Sequence, residues 1–123
     1  MALKRLLDTN AVLYLLGGLL DELLPEGEYL VSVITWMELF SYPGLEPEGE
    51  TRIRAFLSDV EVVGLSEQVA DAAVRLRREH GLKLPDAIIA ATALIAGAEL
   101  LTNDEKLSRV RGISCRRLKL RQP

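Results

Sequence analysis

LKRLLDTNAVLYLL, residues 3–16, holds a strand, a junction and the start of a helix in one short stretch. The apolar run over 4–8 reads as a strand. The pattern then turns helical from about residue 10 to 24, with Asp8 at the change. The same alternation continues outward. Residues 29–34 (YLVSVI) are β-branched and strand-like, and 35–41 read as a short helix stopped by Pro43 and Gly44. An amphipathic helix over 48–58 turns Ile53, Phe56 and Leu57 inward, a strand follows over 61–65, and a helix over 66–80 buries Val69, Ala72, Ala73 and Leu76. Pro85 suits the first turn of a helix to about Ala96. Its sequence is apolar all round, which predicts deep burial. A strand over 99–102, a short helix over 103–110 and a last strand over 113–118 complete the chain. Strands alternating with helices imply an α/β fold, a parallel sheet with helices on both faces, and one domain over 1–123.

Composition narrows the chemistry. The 123 residues are 49% hydrophobic, enough for a real core and too many for a disordered chain. Cys115 is the lone cysteine and forms no internal disulfide, which suits a reducing cytoplasm. His80 is the lone histidine; with Gly81 behind it, it reads as a cation at a helix end rather than a catalytic base. Asp8 interrupts the apolar start that would otherwise resemble a signal peptide, and the uncharged run 9–20 is too short to span a bilayer. The chain therefore reads as soluble and cytoplasmic. Net charge is −3, unevenly spread. Residues 21–61 hold ten acids against Arg52 and Arg54, whereas 106–121 hold seven bases and no acid. Arg75, Arg77, Arg78 and Lys83 form a second basic group, so a polyanion approaching one side is compatible with the charge.

Asp8, Glu38, Asp86 and Asp104 each sit where a strand runs out or a helix begins, in segments otherwise nearly uncharged. Taken singly, each has a structural explanation. Asp8 is a competent N-cap, Thr35-x-x-Glu38 and Thr102-x-x-Glu105 match capping boxes, and Asp86 follows Pro85 where a helix dipole favours a negative charge. Taken together, they fall at the carboxyl edge of a parallel sheet, where such folds place their clefts. Clustered carboxylates repel one another, and a divalent cation removes that conflict. With almost no Cys or His to offer, the ion would be held by oxygen, which points to Mg²⁺ or Mn²⁺. Such a site suits phosphodiester hydrolysis without a histidine base. Asn10 and Thr102 are small polar neighbours able to orient a ligand, a water or a phosphate.

LLDTN, ITWMEL, LPDAIIAATAL and LLTND, in that order, resemble the four acidic motifs of PIN-domain ribonucleases, and among them the VapC toxins of toxin–antitoxin pairs. The likeness runs from about Leu3 to Leu120. It implies a three-layer α/β/α sandwich with a mostly parallel sheet of four to five strands. It further implies an endoribonuclease with Asp8, Glu38, Asp86 and Asp104 as catalytic Mg²⁺ or Mn²⁺ ligands, supported by Asn10 and Thr102. RNA would be the substrate, the chain would pair as a homodimer, and a cognate antitoxin would lie over the groove. The leucine-rich region 12–24 is the expected docking surface for that partner. One alternative is a PIN nuclease in RNA maturation or quality control; others are a PIN-like binding module and an α/β phosphatase with a phosphorylated aspartate. The phosphatase would want a second aspartate where Asn10 stands, and the intact acid quartet argues against a mere binding module.

Overall fold

Leu6 and Leu7 are neighbours in β1 (Lys4–Leu7) and neither is exposed at all, so both faces of this strand are covered. Successive strand residues point to opposite faces. Leu30 and Val31 in β2 (Glu28–Ser32) and Leu100 and Leu101 in β4 (Glu99–Leu101) repeat the arrangement. Leu6, Leu30 and Leu100 join one core cluster with α4 (Glu67–His80) and α5 (Leu84–Ala96). Leu7, Val31 and Leu101 join the other with α1 (Thr9–Leu16), α2 (Val33–Phe40) and α3 (Pro47–Ser58).

This computed structural model describes residues 3–122. Adding β3 (Glu61–Val63) and β5 (Cys115–Arg116) gives five strands in the order β3-β2-β1-β4-β5. All four pairings are parallel, so the expected three-layer α/β/α sandwich is present with five strands rather than four. From β1 the chain builds outward to β2 and β3, then returns to add β4 on the other side. The sheet thus changes direction between β1 and β4, and the crevice beyond their carboxyl ends is the natural ligand position.

Helix α5 is as buried as its sequence predicts, with every residue from Ala87 to Ala93 inaccessible or nearly so. Its one buried hydroxyl, Thr92, donates to Ile88 O at 2.7 Å and so carries no unmet polar group into the core. The last strand is shorter than the expected 113–118 and the short helix before it shorter than 103–110, and two further boundaries that depart from expectation bear on the site. Helix α1 stops at Leu16, because Gly17 caps it and Gly18 takes φ 70°, a conformation that glycine reaches without strain. Beyond it Leu20 bridges antiparallel to Leu120, and Asp21 N donates to Lys119 O, so the region 12–24 is a helix plus a strip tied to the C-terminal tail. Helix α2 starts at Val33, capped by the Ser32 hydroxyl, which accepts from Ile34 N at 3.0 Å. The Thr35 capping box therefore does not form.

At the amino end of the sheet, the Arg5 side chain is 9% exposed and pairs with Glu99. Its Nε donates to Glu26 O at 2.9 Å, and the same Glu99 oxygen accepts from Arg116 Nε at 2.9 Å. This ion network ties β1, β4 and β5 together at the end far from the carboxylates.

Candidate metal and nucleic-acid site

Asp8 follows β1 and Thr102 follows β4, and Asp8 N donates to Leu101 O at 3.3 Å, so the two switch-point strands end side by side. The Asp8 carboxylate is 5% exposed and spends each oxygen differently. Oδ1 accepts from Ala11 N at 2.8 Å and caps α1, as its sequence context predicts. Oδ2 accepts the Thr102 hydroxyl. That hydroxyl in turn accepts from Asp104 N at 3.0 Å, and Asp104 Oδ1 caps α6 (Glu105–Ser108) by accepting from Leu107 N at 3.2 Å. Thr102, itself buried, is therefore the joint between the first and last acids rather than the start of a capping box.

Asp86 is half-buried in the first turn of α5, one residue after Pro85. Glu38 is exposed on α2 and, because that helix begins early, lies in its second turn instead of its first. It is steered by Thr9, whose hydroxyl donates to Glu38 Oε1 at 2.6 Å and lies 2.9 Å from the Thr35 hydroxyl. Thr35 is fully buried. Nothing in the sequence marks Thr9, and Thr35 reads there only as a helix cap; the signal available is two threonines beside two of the acids. Asn10 is placed next to Asp8 but faces solvent, and it makes no side-chain hydrogen bond among the described residues. His80 lies apart, at the end of α4, 3.9 Å from Glu79.

Electrostatics links all four acids. Burial raises the Asp8 pKa above its usual value, the bonds from Thr102 and Ala11 oppose that, and Asp104 and Asp86 push it up further. Burial also raises Asp86, reinforced by Asp104 and Glu38 and countered by Lys83 and Lys106. The carboxylates thus feel one another across a common space. No three Asp, Glu, His or Cys side chains among the described residues are drawn together tightly enough to encase an ion by themselves. A hard divalent cation that keeps several waters and takes one or two carboxylates plus a substrate phosphate needs no all-protein cage. The donor set is oxygen throughout, the chemistry a hard divalent cation requires.

Residues 5–113 match the model of the PIN domain. The chain belongs to the PIN-domain family. The closing strand and the acid-bearing ends of β1, α2, α5 and β4 all fall within or beside the matched span, so the site described above is built from PIN-domain elements. A toxin–antitoxin complex from Klebsiella pneumoniae contains a chain 34% identical to this PIN domain, with TM-score 0.75, covering 89% of this chain and 94% of that one. A chain of the DNA-bound VapBC of Salmonella typhimurium is 26% identical, with TM-score 0.78 and coverage of 94% and 98%. VapBC2 from Rickettsia felis, bound to a promoter DNA fragment, shares the fold at 20% identity, with TM-score 0.80 and coverage of 95% and 100%. No curated protein matches the chain. No helix among the described residues is long and apolar enough to cross a membrane.

Because Thr102 serves both Asp8 and Asp104, Thr102→Val is expected to destabilise this PIN domain by about 1–3 kcal/mol, the cost of leaving buried polar partners unmet. Losing the hydroxyl also raises the folded-state pKa of Asp8 further above 3.8, so the folded state holds a proton that the unfolded chain releases. Stability then falls as pH rises through that window, and the deficit relative to wild type grows from about pH 4 to about pH 7. Thermal melts at the two pH values check this; an equal deficit at both would contradict it.

Proposed function

We propose that this chain is a metal-dependent endoribonuclease and the toxin of a VapBC-type pair. The observation that carries the reading is that Asp104 and Asp86 act on Asp8, and Asp104 and Glu38 on Asp86, at the switch point of a PIN fold. These four residues would hold a divalent cation, Mg²⁺ or Mn²⁺, which when bound supplies charge for the phosphoryl transition state and lowers the pKa of an attacking water. The chain's own contribution is placement. Thr102 aims Asp8, Thr9 aims Glu38, and the cap on α6 fixes Asp104, so the ligand oxygens are held before substrate arrives. Asn10, exposed beside Asp8, is positioned to meet substrate rather than to brace the acids.

The substrate is RNA, and the regulating partner is a cognate antitoxin. Support for the partner comes from the likeness to chains found in toxin–antitoxin complexes. Region 12–24 supplies a surface for it: Leu13, Leu19 and Leu23 are exposed, whereas Val12, Leu16, Leu20 and Leu24 pack into the core. A homodimer working in the cytoplasm completes the proposal. Induction of the chain alone in a bacterial host is expected to arrest growth, and co-expression of the antitoxin encoded beside it to relieve the arrest. Normal growth at confirmed expression of the folded protein would count against the toxin role.

A further inference from the structure

The carboxylate mouth repels the phosphates of the strand it is proposed to cut. A bound RNA therefore needs cations close by, and their positions would set the path of the strand. Six ion pairs occur among the described residues, and Arg77, Arg78, Lys83 and Lys106 take part in none of them. These four gather around one turn. Arg77 Nε donates to Leu82 O at 3.3 Å, and Lys106 Nζ donates to Gly81 O at 3.4 Å. Lys83 and Lys106 are also the cations that act on Asp86, so the basic group begins where the acids end.

Behind that turn lies an open cleft of about 560 Å³ lined by Val74, Arg77, Arg78, Gly81, Leu82 and Leu84. Its walls carry two chemistries. Arg77 and Arg78 present guanidinium groups, which bind phosphate and also stack on flat rings. Val74 and Leu84 are about half exposed, at 48% and 49%, and offer apolar contact. A strand with an anionic backbone and apolar base faces matches both walls.

We infer that single-stranded RNA leaves the carboxylate mouth over Lys83 and Lys106 and seats its next nucleotide in the cleft between Arg77, Arg78 and Leu84. This rests on the nuclease reading of the acids and adds where the strand beside the scissile phosphate is gripped. Arg78 and Lys83 are binding residues in this scheme; both are exposed, and among the described residues neither side chain makes a hydrogen bond, Lys83 capping α5 through its backbone alone.

The test is fluorescence anisotropy with a short labelled single-stranded RNA of mixed sequence, over a series of salt concentrations, in the Asp86→Asn background so that cleavage does not intrude. Arg78→Gln and Lys83→Gln are each expected to weaken binding several-fold and to reduce the salt slope by about 0.7, and by about 1.4 together. Arg54→Gln, which removes a charge from the opposite helical layer, is the control and should leave the slope as it is. With the acids intact, the loss in cleavage should fall on KM more than on kcat. An unchanged slope in the double variant, with wild type cutting RNA normally, would overturn the path. So would a change of mass by light scattering in place of a change of slope, since the cleft would then be an interface between copies. A lowered slope in a protein that cuts no RNA would leave the cleft standing and remove the nuclease reading.

Discussion

Asp86→Asn is expected to abolish RNA cleavage while raising the melting temperature of the metal-free protein. The loss of activity follows from removing one of the oxygens that would fix the cation: a bound metal contributes several kcal/mol to the transition state, equivalent to roughly a thousandfold in rate. The gain in stability follows from the pKa. Burial, Asp104 and Glu38 together raise Asp86 above 3.8 in the folded protein. A carboxyl raised on folding binds more protons folded than unfolded. Its contribution to stability therefore declines as pH rises from 3.8 through the raised value, and near neutrality the charged group is a net burden. Asparagine removes that burden, so the variant should lose the part of the acid-side pH dependence that Asp86 causes. Asp86 is a cleaner target than Asp8. Asparagine at position 8 would keep the α1 cap but could turn an N–H toward the Thr102 hydroxyl, which already accepts from Asp104 N. A variant at position 86 that melts lower than wild type in the absence of metal would contradict the electrostatic account.

Glu99→Leu should do the reverse. It strands the Arg5 guanidinium, 9% exposed, with only the Glu26 carbonyl, and frees Arg116 from its carboxylate. Breaking a buried ion pair by removing one partner costs about 3–5 kcal/mol. The low end applies here, because Glu99 is itself 15% exposed and Arg5 keeps one hydrogen bond. Cleavage per folded molecule should survive, since this network sits at the opposite end of the sheet from the acids. Chemical denaturation together with an activity assay on the same sample separates the two effects. Stability within experimental error of wild type would show that the network does not hold β1, β4 and β5 together.

Asp8, Glu38 and Asp86 were legible in the sequence because a lone carboxylate beside apolar residues contrasts with its neighbours, and Asp104, with Glu105 beside it, because it fell where the pattern changed. The strand order was not so directly legible; only the alternation of strands and helices pointed to a parallel sheet with helices on both sides. What stayed hidden was local competition. Residues 31–35 (VSVIT) hold two possible caps, and β-branching let the strand reading run on to residue 34. Pairing with β3 ends β2 at Ser32 instead, which starts α2 early, turns Thr35 into the core and frees it to brace Thr9. Nothing in the sequence marks Arg5 as paired, since its partner Glu99 lies far along the chain and meets it only through the β1–β4 register. Asn103 was likewise read only as part of a helix start. Its side chain accepts from Leu118 N at 2.7 Å and donates to Leu118 O at 3.0 Å, fastening the basic tail that charge alone would leave loose.

The most direct test of a carboxylate-held metal nuclease is a single cleavage assay on purified wild-type protein with cellular RNA. It would run with Mg²⁺ or Mn²⁺ present, then with EDTA, then with the ion restored in excess. The account predicts cleavage, its loss and its return, with Asp86→Asn inactive in every lane. Cleavage that persists in EDTA, or that Asp86→Asn performs as well as wild type, would contradict it.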